Sequence, residues 1–536
     1  MNSTMMDYPL TLTHILERVG RLFPEVEIVS RMPDRSLHRH TYADFYRRAH
    51  ALAEGLQRLG LKRGDRVATL MWNHYVHQEA YFGIPAAGGI VHTLNLRLAP
   101  SDLAFIVNHA ADRFLIVDDV LLPLYEKFRA EVNFEHVVVV PLAGKPVARE
   151  YQDYEAFLRQ ARGDFTYPPL EEHEGAAMCY TSGTTGKPKG VVYSHRALVL
   201  HSFALALADC MGLSERDVLL PVVPMFHANA WGIPFAAIMV GAKLALPGPY
   251  LDPESLLDLA EQERVTLAAG VPTIWMTIAD ALEKNPGRWK LVAGMRMPVG
   301  GSAAPEALIR RLDRHGLHLV QGYGMTEATP LATYCNLMPQ MDSWEEDSKY
   351  AVRAQQGRAL PFVDLRVVDE KGEVRRDSKT PGEVHLRGPW IASSYYSSPG
   401  EQDKWTKDGW FRTGDVATIG PEGYICVCDR AKDLIKSGGE WISSVNLENA
   451  LMAHPAVAEA AVIAVPHPKW QERPLAVVVL RSGAAAAAED LCGFLAGKFA
   501  KWQLPDAFVF VPEIPHTGTG KMLKSKLREQ FKEWKW

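Results

Sequence analysis

The segment Tyr180-Thr181-Ser182-Gly183-Thr184-Thr185-Gly186-Lys187-Pro188-Lys189-Gly190 gathers three glycines, four aliphatic hydroxyls and two lysines in eleven residues. Glycine lets a backbone turn sharply and bring its N–H groups close to a ligand. Hydroxyls donate to phosphate oxygens, and lysine adds mobile positive charge. The combination suits a polyphosphate. The apolar lead-in Ala176–Cys179 predicts a buried strand and Ala197–Asp209 a helix, so that strand, loop and helix would form a phosphate cradle. The spacing differs from the G-x-x-x-x-G-K-[ST] loop, because two residues separate Gly183 from Gly186 and Pro188 follows Lys187. Composition alone also fits a flexible surface turn.

Further stretches carry groups able to do chemistry. Gln321-Gly322-Tyr323-Gly324-Met325-Thr326-Glu327 offers one carboxylate, and Mg²⁺ commonly takes only one or two from protein, filling its shell with phosphate and water. Gly409-Trp410-Phe411-Arg412-Thr413-Gly414-Asp415 ends on an acid that can accept from hydroxyls, and Arg430 follows. Pro224-Met225-Phe226-His227-Ala228-Asn229-Ala230-Trp231 sets a histidine and a tryptophan in apolar company. Gly300-Gly301-Ser302-Ala303-Ala304-Pro305 is small enough to leave room for a ligand, and Pro515-His516-Thr517-Gly518-Thr519-Gly520-Lys521 presents a lysine on a glycine-marked loop. Taken singly, each also reads as a turn, a core residue or a surface charge. No G-x-S-x-G or H-E-x-x-H segment competes with them.

The loop string and these segments, in this order, resemble the adenylate-forming family of acyl-CoA synthetases, peptide-synthetase adenylation domains and luciferases. The likeness spans about residues 10 to 530. It implies ATP, Mg²⁺ and CoA as cofactor and co-substrates, with Thr181, Ser182, Gly183, Thr184, Thr185, Gly186 and Lys187 around phosphate. Gln321 to Glu327 would hold adenine, α-phosphate and metal: Tyr323 stacks on the base, Thr326 bonds phosphate, and Glu327 with Thr181 binds Mg²⁺. Asp415 would take the ribose, and Arg430 would be a second ribose or phosphate contact. His227 would wall the acid pocket, Trp231 gate it, and Gly300, Gly301 and Ser302 line it. Lys521 is the implied catalytic lysine, acting with Thr181, Glu327 and His227. The chemistry is acid plus ATP to acyl-adenylate, then thiol attack giving acyl-CoA and AMP. Lys432 would be the hinge between the steps. Gly438 and Gly439 would line the pantetheine path, with Lys436, Glu440 and Trp441 beside them. The runs Lys436–Ser444, Pro466–Pro474 and Lys501–Pro505 look like fatty acyl-CoA synthetases, so a medium- to long-chain fatty acid is expected. The alternatives are a short or methylthioalkanoate acid, a carrier-protein acceptor, or a binding module without turnover.

The elements that must position these groups alternate. Thr41 with Asp44 predicts a capped helix bearing the stripe Phe45, Ala49, Leu52, Leu56 and Leu59. Arg66–Met71, Ile90–Thr93 and Phe114–Val117 read as strands between helices at Gln78–Ala86 and Pro100–Ala110. That pattern predicts an α/β fold with mostly parallel sheets flanked by helices. At 536 residues the chain exceeds one core. From about Asp429 it turns basic and glycine-marked, then predicts a small α+β unit: helix Val445–Ala453, strands Val457–Val465 and Ala476–Leu480, helix Leu491–Phe499. The expected division is 1–431, an AMP- and acyl-binding domain, and 432–536, a mobile domain carrying the lysine. A net charge of −5 gives no nucleic-acid footprint. No signal peptide and no membrane span are read, and the six cysteines are scattered, so a cytoplasmic protein with no integral membrane association is expected. The resemblance implies a homodimer.

Overall fold

The computed structural model describes residues 3–181, 187–430, 432–437, 440–517 and 522–536. Helix Tyr42–Arg58 starts as its sequence dictates. The Thr41 side chain accepts from the Asp44 N–H and the Asp44 carboxylate accepts from the Thr41 N–H. Phe45, Ala49, Leu52 and Leu56 are fully buried, whereas Leu59 lies past the last turn and is half-buried.

The large N-terminal part contains three sheets. In a seven-stranded sheet Phe114–Asp118, Arg66–Leu70, Ile90–Thr93 and Gly175–Tyr180 are successive parallel neighbours. Every residue of Ile90–Thr93 and Phe114–Asp118 is buried, as strands covered on both faces require. A nine-stranded sheet has a parallel centre that includes Lys243–Leu246, Val218–Pro221, Leu267–Ala269, Met295–Val299 and Leu317–Gly324. Leu331–Tyr334 and Arg358–Ala359 continue it antiparallel at one edge. The third sheet, antiparallel, includes Asp364–Asp369, Gly382–Arg387, Phe411–Ile419 and Ile425–Arg430.

The C-terminal part has its own sheet and core. Strands Val457–His467 and Gln471–Leu480 pair antiparallel, Ala507–Phe510 joins parallel, and helix Ser444–Met452 buries Leu447 and Leu451 against them. Helix Ala488–Ala496 contributes Leu491 and Leu495 to the same core. This is the expected α/β body with a small α+β partner. The apolar run Trp231–Leu246 resolves into helix Ile233–Val240 and a buried strand, and among the described residues no helix is long and apolar enough to cross a membrane.

One expectation fails. The glycine-rich loop does not lead into a helix. It joins Gly175–Tyr180 to a second strand, Gly190–Ser194, which runs back antiparallel with Gly175 opposite Ser194. Helix His195–Ala206, capped by Ser194, therefore begins at the far end of the hairpin. Five strand residues at about 3.3 Å each put its N-terminus roughly 16 Å from the loop. The helix dipole, which acts over about one turn, contributes nothing to phosphate there. The β-branched pair Val191-Val192, which favours a strand, was the signal for the missed element.

Candidate active site

The sheets converge on one cavity of about 430 Å³. Thr181 follows strand Gly175–Tyr180, His227 lies in the segment after Val218–Pro221, Gly300 and Gly301 follow Met295–Val299, and Met325 to Glu327 follow Leu317–Gly324. All four strands end toward the cavity, where open α/β sheets place ligands. The third sheet adds Asp415 and Arg430, and Lys432 follows it.

The lining divides by chemistry into a charged arm and an apolar arm. The charged arm comprises Lys187, Lys189, Lys404, Arg430 and Lys432 with Glu327 and Asp415. The apolar arm comprises Met211, Ala228, Trp231, Val299, Leu331 and Tyr334. Thr181 is locked at the loop entry: its N–H donates to the Lys189 carbonyl, and its hydroxyl accepts from the Lys189 N–H at 3.2 Å. Lys189 pairs with Glu401 at 2.5 Å and lies over the Tyr395 ring. Lys187 sits over the Phe105 ring. Ser182 to Gly186 lie outside the described residues, as do Gly438, Gly439 and Lys521.

Glu327 is only 6% exposed. The Tyr395 hydroxyl donates to its Oε1 at 2.5 Å, and its carbonyl accepts from the Ala392 N–H. Burial, with the Glu327 charge beside it, pushes the Tyr395 phenol well above its usual range, so Tyr395 remains a donor. Gly324 permits the reversal before Glu327, since a Cβ there would fall 1.9 Å from the Pro330 carbonyl oxygen. Among the described residues no group of three or more His, Cys, Asp or Glu could hold a metal. Glu327 and Thr181 line this cavity as oxygen donors, the ligand type that Mg²⁺ takes alongside phosphate and water.

Asp415 and Arg430 are cross-strand partners, with Nε and Oδ1 3.7 Å apart. The Tyr323 hydroxyl donates to Asp415 Oδ2 at 2.7 Å. Burial, reinforced by the Asp415 charge, pushes the Tyr323 phenol up. Burial also lowers the Lys432 ammonium below its usual range.

His227 is half-buried in the cavity lining. After it comes a feature with no sequence signal. Ala228, Asn229, Ala230 and Trp231 have φ of 43°, 51°, 47° and 58°, a full turn of left-handed helix in residues that carry side chains, closed by Gly232 at 74°. At about 1–2 kcal/mol per residue, such a turn costs roughly 4–8 kcal/mol. Tertiary contacts hold it: the Asn229 amide donates to the Tyr81 hydroxyl at 3.0 Å, which donates to the Met225 carbonyl. The turn lays the Trp231 indole against Gly300, where a Cβ would lie 3.3 Å from the ring.

Other expected residues fall elsewhere. Gln321 does not line the cavity. Its side chain accepts from the Ala304 N–H at 2.9 Å and donates to the Ala354 carbonyl, so it supports the Gly300–Ala304 loop from behind. Lys436, Glu440 and Trp441 lie on a C-terminal hairpin, with Lys436 opposite Trp441, and line neither this cavity nor its neighbour. Ser302 and Tyr323 open on that neighbour, a cleft of about 240 Å³ between the two parts of the chain. Across it Lys524 Nζ lies 2.7 Å from Glu448 and 4.0 Å from Asp429. Burial pushes the Glu448 carboxyl up to about 7, against the pull of Lys524. The sequence reading missed Tyr395 and Lys404, because nothing local marks a residue whose role is set by a distant partner.

The family model described as AMP-binding enzyme matches residues 16–396, and that of the AMP-binding enzyme C-terminal domain matches 446–521. A long-chain-fatty-acid–CoA ligase of Thermus thermophilus is 52% identical, covering 99% of this chain and 97% of its own. A 3-methylmercaptopropionyl-CoA ligase of Ruegeria pomeroyi is 43% identical, covering 99% of both. Among solved structures, an anthranilate CoA ligase in complex with anthranoyl-AMP superposes with a TM-score of 0.88 at 25% identity, covering 99% of both chains. With both models matched in order and relatives alike along their whole length, the chain belongs to the AMP-binding enzyme family.

Proposed function

We propose that this protein is an AMP-forming fatty acid–CoA ligase. The observation that carries the reading is one cavity whose lining combines charged groups, suited to a nucleotide triphosphate, with apolar groups, suited to an acyl chain, and includes His227 and Glu327. The full-length relatives named as CoA ligases support it.

In this reading the triphosphate lies along Thr181 to Lys189 and the ribose bonds Asp415, which lines the same cavity. Thr326 bonds the α-phosphate. Its backbone is fixed, since the Thr326 carbonyl accepts from the Tyr193 hydroxyl at 2.7 Å. The acid's carboxylate enters at His227 with its chain in the apolar arm. A carboxylate oxygen attacks the α-phosphorus and pyrophosphate leaves. Lys521 offsets the negative charge that builds on the phosphoryl oxygens. Mg²⁺, when bound by Glu327 and Thr181, neutralises phosphate charge. CoA thiol then attacks the acyl carbonyl and AMP departs. The two steps ask for different groups at one cavity, which supports a boundary near Lys432, a residue that lines both cavity and cleft, about which 432–536 turns. A cytoplasmic homodimer belongs to the same proposal.

The acid is proposed to be a medium- to long-chain fatty acid. A shorter acid such as a methylthioalkanoate is the second reading, favoured by Trp231 lying against Gly300 and narrowing the apolar arm. Loss of CoA thiol with Mg·ATP, followed over acetate, octanoate, palmitate and methylthiopropanoate, tests both. Octanoate or palmitate should give the highest turnover. A peak at the short acids supports the second reading, and no acid-dependent thiol loss refutes the ligase assignment.

A further inference from the structure

The apolar arm contains two side chains that no motif pointed to, Met211 and Tyr334. They belong to one wall. Burial pushes the Tyr334 phenol up, and Cys210, Arg296 and Cys335 are the ionisable neighbours that act on it. Arg296 in turn donates to the carbonyls of Met211 and Gly212, the latter at 3.0 Å, and pairs with Asp217. Asn336 donates to the Cys210 carbonyl at 3.3 Å, and the Tyr424 hydroxyl donates to the Asn336 carbonyl at 2.6 Å. The loop that carries Met211 is thus clamped from two sides. Tyr334 is clamped as well, because its strand pairs with Gly322 on one side and Arg358 on the other. Such a wall cannot retreat before a longer chain without breaking several hydrogen bonds.

The Tyr334 hydroxyl has a second property. The residue is only 4% exposed, yet its hydroxyl makes no hydrogen bond among the described residues. Buried tyrosines usually place that group on a partner. Tyr334 lines the cavity together with the apolar side chains of Met211, Ala228, Trp231, Val299 and Leu331. Resting on the ligase reading, we infer that the Met211–Tyr334 wall closes the acyl arm and that the Tyr334 hydroxyl donates to an oxygen or sulfur acceptor in the distal part of the acid. The preferred substrate is then a medium-length acid whose chain carries an ether, thioether, hydroxyl or keto group. A plain hydrocarbon chain of equal length leaves the hydroxyl unpaired.

The test compares octanoate with isosteric acids in which one methylene at a time is replaced by oxygen or sulfur, reading acid-dependent pyrophosphate release by the full-length protein. One substituted position should exceed octanoate in kcat/KM by about three- to tenfold, the worth of one net hydrogen bond. In Tyr334→Phe that acid should fall to or below octanoate, and Met211→Ala should move the optimum of an unsubstituted acid series to longer chains. The inference is overturned if no position beats octanoate, if the preference survives in Tyr334→Phe, or if Met211→Ala keeps the wild-type length profile. Absence of acid-dependent release with every acid would defeat the ligase reading itself, whereas release with an unaltered pattern defeats only this inference.

Discussion

The left-handed turn at Ala228–Trp231 makes a sharp prediction about backbone strain beside the acid site. Replacing Ala230 by glycine removes the Cβ that makes φ of 47° unfavourable, a gain of about 1–2 kcal/mol. Against it stand the larger conformational entropy of glycine in the unfolded chain, about 0.5–1 kcal/mol, and the loss of one buried methyl, about 0.8 kcal/mol. These nearly cancel, so Ala230→Gly should leave stability within about 1 kcal/mol of the parent. The control is Ala236→Gly. Ala236 is just as buried but lies in the right-handed helix Ile233–Val240. There glycine brings no relief, and the helix-propensity and methyl losses add to about 2 kcal/mol. Urea unfolding of both variants, read at the transition of the large N-terminal part with the slope checked for constancy, gives the comparison. The two should differ by about 1–2 kcal/mol, with KM for the acid raised in Ala230→Gly because the turn under Trp231 gains alternative conformations. Equal destabilisation of the two variants would refute the strain assignment.

Tyr395→Phe removes the donor to Glu327. A hydrogen bond to a charged group is worth about 1.5–3 kcal/mol, so pyrophosphate release should fall roughly 10- to 100-fold, with a higher Mg²⁺ requirement in a metal titration. Glu448→Gln should flatten the pH dependence of stability. The folded carboxyl titrates at about 7, above its ordinary value of 4.5, so its contribution is full below pH 4.5 and is lost as pH rises through 7. For this fully buried group the loss is of order 3 kcal/mol, seen as a fall in the wild-type urea midpoint between pH 5 and pH 8 that the variant lacks. Lys521→Ala should cut adenylation by about 10²–10³ while sparing thioester formation from supplied acyl-adenylate, and equal loss in both half-reactions would assign the lysine a structural role.

Much of the site was legible because its residues sit in short segments directly after strands. Such segments keep their composition wherever the sheet places them, so Thr181, His227, Gly300 and Glu327 could be named before their meeting was visible, whereas Asp415, inside strand Phe411–Ile419, was named from its motif. What stayed hidden depends on partners far away in the chain. Tyr395 matters through Glu327, 68 positions distant, and Gln321 turns from ligand to support only when Ala304 and Ala354 are seen around it. Trp441 was grouped with the cofactor residues, yet it lies on an exposed hairpin face away from both cavities. The helix His195–Ala206 was read correctly as an element but wrongly as part of the cradle, because a five-residue strand before it reverses the chain. The hand of the Ala228–Trp231 turn was unreadable. Alanine, asparagine and tryptophan in that order carry no left-handed preference strong enough to foretell four successive positive φ values.

The central claim is that the acid is activated by attack on the α-phosphorus of ATP. It is tested most directly by supplying an acid labelled with ¹⁸O in its carboxylate, together with Mg·ATP and CoA, and weighing the products by mass spectrometry. Attack on the α-phosphorus followed by thiol attack on the carbonyl leaves one carboxylate oxygen on the nucleotide, so AMP should carry a single label and pyrophosphate none. Label in inorganic phosphate, with ADP as the nucleotide product, or acyl-CoA formed with unlabelled AMP, would contradict the account.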